Sequence, residues 1–268
     1  MQIKFGYEII MSHPQDTPIA LMLSVHPSRA TDLLTPDRMQ VTPDTSVAQF
    51  IDSFGNICSR VIAPPGQISF TTDAIIADPG TYDIYAPDAI QHVVPELPGE
   101  CLQFLLGSRY CETDKLMDIA WANFNSAPLG LGRVQAICDF VHNHITFGYR
   151  FARTNRTAFE AYNEKVGVCR DFAHLAIALC RCMNIPARYA TGYLGDIGVP
   201  KDPAPMDFSA WFEAYLGNHW YTFDARHNQP RIGRILIARG RDAADVAIAT
   251  YFGPSSLLSF KVWTDEVL

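Results

Sequence analysis

Cys169 is the residue best placed for chemistry. It follows Gly167-Val168 and opens a run in which Phe172, Leu175, Ala176, Leu179, Cys182 and Met183 recur at three- and four-residue steps. That is the period of a helix with one buried stripe. Asn184-Ile185-Pro186 ends it, since Asn tolerates a left-handed backbone and Pro cannot continue a helix. Cys169 then falls in the first turn, where free amide N–H groups and the positive end of the dipole favour a thiolate. The competing reading is a small buried hydrophobe. The seven cysteines are odd in number and irregularly spaced, Cys180-Arg181-Cys182 is neither a redox nor a zinc spacing, and no CxxC pair faces another. Reduced thiols in a cytoplasmic compartment are expected, with no metal site and no cofactor.

The elements that position Cys169 follow from the pattern around it. Thr113 to Phe124 and Val134 to His142 carry helical stripes, Ile145 to Tyr149 is extended, and Thr157-Ala158-Phe159-Glu160 is a capping box opening a short helix towards Lys165. Ala187 to Leu194, Asp207 to Leu216 and Trp220 to Asp224 read as strands. Cys helix, IPAR segment, AWFE strand and WYTFD strand, in that order from about Thr113 to Asp224, resemble the transglutaminase-like family, which has a papain-like cysteine-enzyme core. The resemblance implies that Cys169 is the nucleophile and Asp224 the carboxylate. It also implies a catalytic histidine just before the Ala-Trp pair, where this chain has Ser209.

Strand pairing tests that arrangement. With Gly217-Asn218 as a two-residue turn, Leu216 faces His219, Trp211 faces Asp224, and Ser209 faces Arg226. Side chains alternate, so Ser209 and Asp224 are diagonal neighbours on one face, close enough for Asp224 to orient a base at 209. Among the other histidines, His227 ranks first, being nearest Asp224 in the chain; a strand continuing past Asp224 would point it to the opposite face. His219 lies at the turn, His174 well round the helix from Cys169, and nothing places His142 or His144 near it. Arg226 either favours the Cys169 thiolate or pairs with Asp224 or Glu213 across the sheet; arginine cannot be the general acid or base, because it stays protonated. The expectation is a reactive thiolate with weak or unusual turnover unless fold or substrate supplies a proton donor. Tyr149 is a candidate second oxyanion donor beside the Cys169 amide. Arg170-Asp171 would pair locally at the start of the helix. Trp211 and Trp220 would wall a cleft or pack in the core, and Arg231 to Asp245 would border the cleft or link to a terminal strand, Leu257 to Trp263.

The chain of 268 residues carries a net charge of −7, 48% hydrophobic and 18% charged residues, with no Lys/Arg run. A nucleic-acid surface is excluded on that balance, Met1 to Phe5 lacks a signal-peptide pattern, and Ile19 to Val25 is too short to cross a bilayer. Before Pro95 the pattern is short β-type runs (Ile19 to Val25, Val47 to Ile51, Val61-Ile62, Ile68 to Thr72) broken by Pro and Gly, with a turn at Phe54-Gly55-Asn56. His13 and His26 stand alone there. Val94 to Glu100 reads as an extended linker. The expected fold is α+β: a β-rich N-terminal domain over 1–95, acting as scaffold or cleft wall, then a papain-like transglutaminase core over 96–268. Three functions remain open: a Cys169-thioester enzyme (peptidase, amidase or acyltransferase) acting on a protein or peptide amide; a catalytically impaired peptide-binding module; and a scaffold.

Overall fold

The computed structural model describes residues 1–267. Its strands and helices run β1 (Gln2–His13), β2 (Thr17–Leu21), β3 (Gln40–Thr42), β4 (Val47–Ile51), β5 (Ile57–Ala63), β6 (Gly66–Ala77), α1 (Gly99–Leu102), α2 (Thr113–Phe124), α3 (Leu131–His144), β7 (Thr146–Phe147), α4 (Ala158–Glu164), β8 (Val166–Gly167), α5 (Cys169–Cys182), β9 (Ala187–Leu194), β10 (Ser209–Leu216), β11 (His219–Phe223), β12 (Arg234–Gly240), β13 (Ala249–Tyr251) and β14 (Ser256–Val267). Strict alternation builds the two longest N-terminal strands. Ile3, Phe5, Tyr7, Ile9 and Met11 of β1, with Ile68, Phe70, Ala74 and Ile76 of β6, all point inward and are buried.

The N-terminal region holds two four-stranded antiparallel sheets, ordered β14-β1-β6-β3 and β13-β2-β5-β4. β13 and β14 come from the far end of the chain. The expected division into 1–95 and 96–268 is therefore corrected: the last strands complete the N-terminal sheets. β14 pairs with β1 from Gln2↔Val267 to Ser12↔Ser256, a register that the short separation-blind strand signal around Leu257 could not reveal. Val94 to Glu100 is not extended either. Pro95 lies in the first turn of a 3-10 helix over Val94–Glu96 and Pro98 is the N-cap of α1, positions where the missing proline N–H costs little.

The α+β core follows the expected order. Glu160 and Thr157 form the capping box of α4, and Asn184 leaves α5 at φ 60°. α5 differs from a one-striped helix, because every residue from Asp171 to Cys182 is buried. It packs on α2, α3 and α4 on one side and on β9 and β10 on the other, so no face remains for solvent. Its polar members find partners inside: Arg181 donates to Ala187 O and Leu106 O, and His174 Nε2 accepts from the Ala243 amide. The sheet of the core is β11-β10-β9-β12, and the Arg231-to-Asp245 segment supplies its edge strand β12 rather than a linker. One continuous apolar core joins both halves, with Phe5 edge-on to Tyr193 at 5.0 Å and Tyr7 near Phe208 at 6.3 Å.

Gly6 shows how tightly the terminal strand is held. A Cβ there would lie 2.2 Å from Thr72 O and 2.5 Å from the Trp263 ring. Gly6→Ala is expected to destabilise the chain by about 1–3 kcal/mol through overpacking, read as a lower urea midpoint at unchanged slope.

Candidate active site

The start of α5 is fixed by a buried carboxylate. Asp171 Oδ2 accepts from the Val168 amide at 2.9 Å and from Arg156 Nη1 at 3.0 Å. Arg170 is 3.5 Å from Asp171, and its guanidinium also donates to the carbonyls of Thr154 and Arg153. The local pairing expected for Arg170 is thus secondary to Arg156, which reaches in from the loop before α4. Together these contacts hold Cys169 at the first helical position, with the backbone of Ala210 at the start of β10 favouring its thiolate.

The hairpin has the expected register, from Leu216↔His219 to Phe212↔Phe223. Gly217 and Asn218 sit at φ 51° and 66°, the pair of positive angles a type I′ turn needs. The ladder ends at Phe223, and this alters the site. Asp224 turns its carboxylate onto the chain that follows: Oδ1 accepts from the amides of Arg226 and His227, each at 3.0 Å, and its carbonyl accepts from Asn228 N at 2.7 Å. The chain breaks from strand into turn, so neither Trp211–Asp224 nor Ser209–Arg226 forms as a ladder pair. The same break swings His227 back, and its Nδ1–H donates to Asp224 Oδ2 at 2.8 Å. A carboxylate can only accept, so Nδ1 carries the proton and Nε2 carries the lone pair in the neutral ring.

Asp224 is buried, which works to raise its pKa. The Arg234 guanidinium at 3.0 Å and the His227 contacts outweigh that and hold it well below the usual carboxylate range. Arg226 pairs with neither Asp224 nor Glu213, contrary to one of the two readings left open for it. Arg234 takes Asp224, while Arg188 and Arg239 take Glu213 at 2.6 and 2.9 Å. The Arg226 guanidinium lies over the Phe147 ring, 3.8 Å from its centre. It still acts on Cys169. Packing around the sulfur desolvates a thiolate and pushes the thiol up to about 11, with Arg226 and the Ala210 amide pulling it down and Asp207 and Asp224 pushing it up. Desolvation therefore works against the thiolate that the helix position alone favours.

Above Cys169 lies a cleft of about 540 Å³ lined by Tyr149, Asp207, Ser209, Arg226 and His227, with Trp263 and Thr264 of β14 opposite. The terminal strand of the N-terminal sheet is thus one wall. Cys169 is not itself a wall residue. The half-buried residue lies within the electrostatic reach of Arg226 and Asp207, which are. Trp211 packs with Ala190 and Leu236, and Trp220 with Tyr215 and Phe104, so neither borders this cleft. His142, which nothing in the sequence placed, donates from Nδ1 to the carbonyls of Ala225 and Arg226 and supports the turn from below. His144 bonds Tyr162 O, His219 stays at the hairpin tip, and His174 is buried against Tyr110 and held well below its usual value by desolvation. Arg234 and Asp207 were not anticipated. Asp207 stands two residues before Ser209, a spacing that would have offered it; Arg234 comes from a different strand and left no local signal. Among the described residues no group of three or more His, Cys, Asp or Glu side chains could hold a metal, and no helix is long and apolar enough to cross a membrane.

Residues 122–225 match the profile of the transglutaminase-like superfamily. The chain is 32% identical over 222 residues to an uncharacterized protein of Mycobacterium tuberculosis, an alignment spanning 73% of this chain and 68% of that one. An uncharacterized Mycobacterium leprae protein is 24% identical over 232 residues, spanning 79% and 77%. A solved structure of a proposed cysteine protease from Cytophaga hutchinsonii aligns with a TM-score of 0.84 at 32% identity, over 99% of this chain and 90% of that one.

The raised thiol gives a pH prediction. Below its folded value the thiolate fraction grows about tenfold per pH unit. Alkylation of Cys169 by iodoacetamide, followed by peptide mass spectrometry, is expected to climb through pH 7 to 10 without levelling; a plateau below pH 8 would mean that an ion pair already holds the thiolate.

Proposed function

The chain belongs to the transglutaminase-like superfamily, and from that premise we propose that it acts on a protein or peptide amide through a Cys169 thioester, with His227 in the role that Ser209 vacates. The observation that supports this reading most is the 2.8 Å bond from His227 Nδ1 to Asp224 in a ring that lines the same cleft as Ser209. Nε2 takes the Cys169 proton as sulfur attacks the amide carbonyl. The imidazolium then gives that proton to the leaving nitrogen as the C–N bond breaks, leaving a thioester. Water or an amine attacks next, His227 takes its proton, and the C–S bond breaks to return the thiol. The first-turn amide of Cys169 faces the developing oxyanion, and the Tyr149 hydroxyl is the candidate second donor. All seven cysteines stand as free thiols, which suits a reducing, cytoplasmic setting.

The high thiol value favours a second reading, in which the fold is kept as a catalytically impaired peptide-binding or scaffold module. One substitution set separates them, with p-nitrophenyl acetate as an activated acyl probe. If His227 is the base, His227→Asn lowers Cys169-dependent turnover by roughly 10²–10⁴-fold, and Ser209→His raises turnover and brings the pH rise of alkylation to lower pH. Turnover unchanged in His227→Asn, or already absent in the parent chain, would leave the binding reading in place.

A further inference from the structure

The cations and carboxylates around the cleft are unevenly matched. Asp196 faces Arg231 at 3.6 Å and Asp265 faces Lys201 at 3.9 Å. Asp207 accepts from the Phe208 amide at 2.6 Å, and Asp202 from the Ala204 amide at 2.9 Å. Arg226 is different. Among the described residues no carboxylate lies within 4.0 Å of its guanidinium, which rests flat on Phe147 at 3.8 Å and borders the cleft beside His227. Stacking on an aromatic face fixes the plane of the fork and leaves its N–H groups free at the edges. The same guanidinium is the charge that most favours the Cys169 thiolate. A planar fork of this kind matches a carboxylate in two parallel hydrogen bonds.

We propose that Arg226 is a carboxylate anchor, so that the cleft selects an acyl substrate carrying a free carboxylate close to the carbonyl that Cys169 attacks. The inference rests on the proposed role of Cys169 only in requiring that its sulfur be reached from the cleft. The overall cleft is no anion trap, since aspartates outnumber cations along its walls. The selection is local to one side chain, which makes it separable by mutation.

Iodoacetate and iodoacetamide alkylate through the same carbon and need the same thiolate, but only one carries a carboxylate. Their rate ratio at Cys169, divided by the ratio for 2-mercaptoethanol, therefore reports the anchor independently of how much thiolate is present. A charge-assisted bond should raise that normalised ratio about tenfold or more. Arg226→Gln should bring it close to one and Arg226→Lys should keep part of it, while Lys201→Gln, on an exposed side chain of the same cleft, should leave it within about twofold. Acetyl-alanyl-alanine and acetylglutamate α-amide, tested as protectants of Cys169, distinguish a terminal from a side-chain carboxylate; protection by either, lost on amidation of its carboxylate, supports the anchor. A normalised ratio near one in the parent chain, or an equal fall in Lys201→Gln, overturns it and leaves the thioester reading standing. If Cys169 resists iodoacetamide even at pH 9, both readings fall together.

Discussion

The buried carboxylate of Asp224 holds the site together. It accepts from four donors: the amides of Arg226 and His227, the His227 ring and the Arg234 guanidinium. Each bond comes from a different requirement. The two amides end strand β11 and form the turn, the ring bond orients a potential base, and Arg234 carries the connection onward to Asp83 in the segment that leaves the N-terminal sheets. Removing one member of such a desolvated pair exposes the other as an uncompensated charge, at a cost of about 3–5 kcal/mol. The hairpin, the turn and the N-terminal half are thus tied to one side chain.

That hub is complete without any partner from β10, where Ser209 stands. Asp224 remains fully partnered without an imidazole from β10, because His227 and Arg234 satisfy it. With Ser209 on β10, no orphaned carboxylate is left in the core. Cys169 is left with Arg226 and a backbone amide as its stabilising neighbours, against desolvation and two carboxylates, and it rests as a thiol. The bond from His227 Nδ1 to Asp224 fixes the tautomer of that ring, and its other nitrogen points away from the bond.

The N-terminal half is part of the site rather than a separate support. β14 runs the length of β1 and then presents Trp263 and Thr264 to the cleft. The cleft thus has residues of the core on one side and a wall made by β14. Because the apolar core is continuous across both halves, a shift of β14 would move the wall relative to Cys169.

Periodicity and turn chemistry are local, and the sequence by itself determined what depends on them: the Cys helix and its stop at Asn184, the capping box at Thr157, the strands of the core sheet and the hairpin register set by Gly217-Asn218. The motif order determined the family. Only the tertiary structure decided the rest. The return of β14 to β1 joins residues more than two hundred positions apart, and no local pattern encodes that pairing. The strand break after Phe223 arises because a buried carboxylate must collect donors, and the nearest ones are the amides and ring just downstream. Arg234 reaches Asp224 from another strand, and Asp171 is held by Arg156 from another loop. The charge state of Cys169 went against its helix position for the same reason: desolvation is a sum over every atom packed around the sulfur, and that sum exists only once the chain has folded.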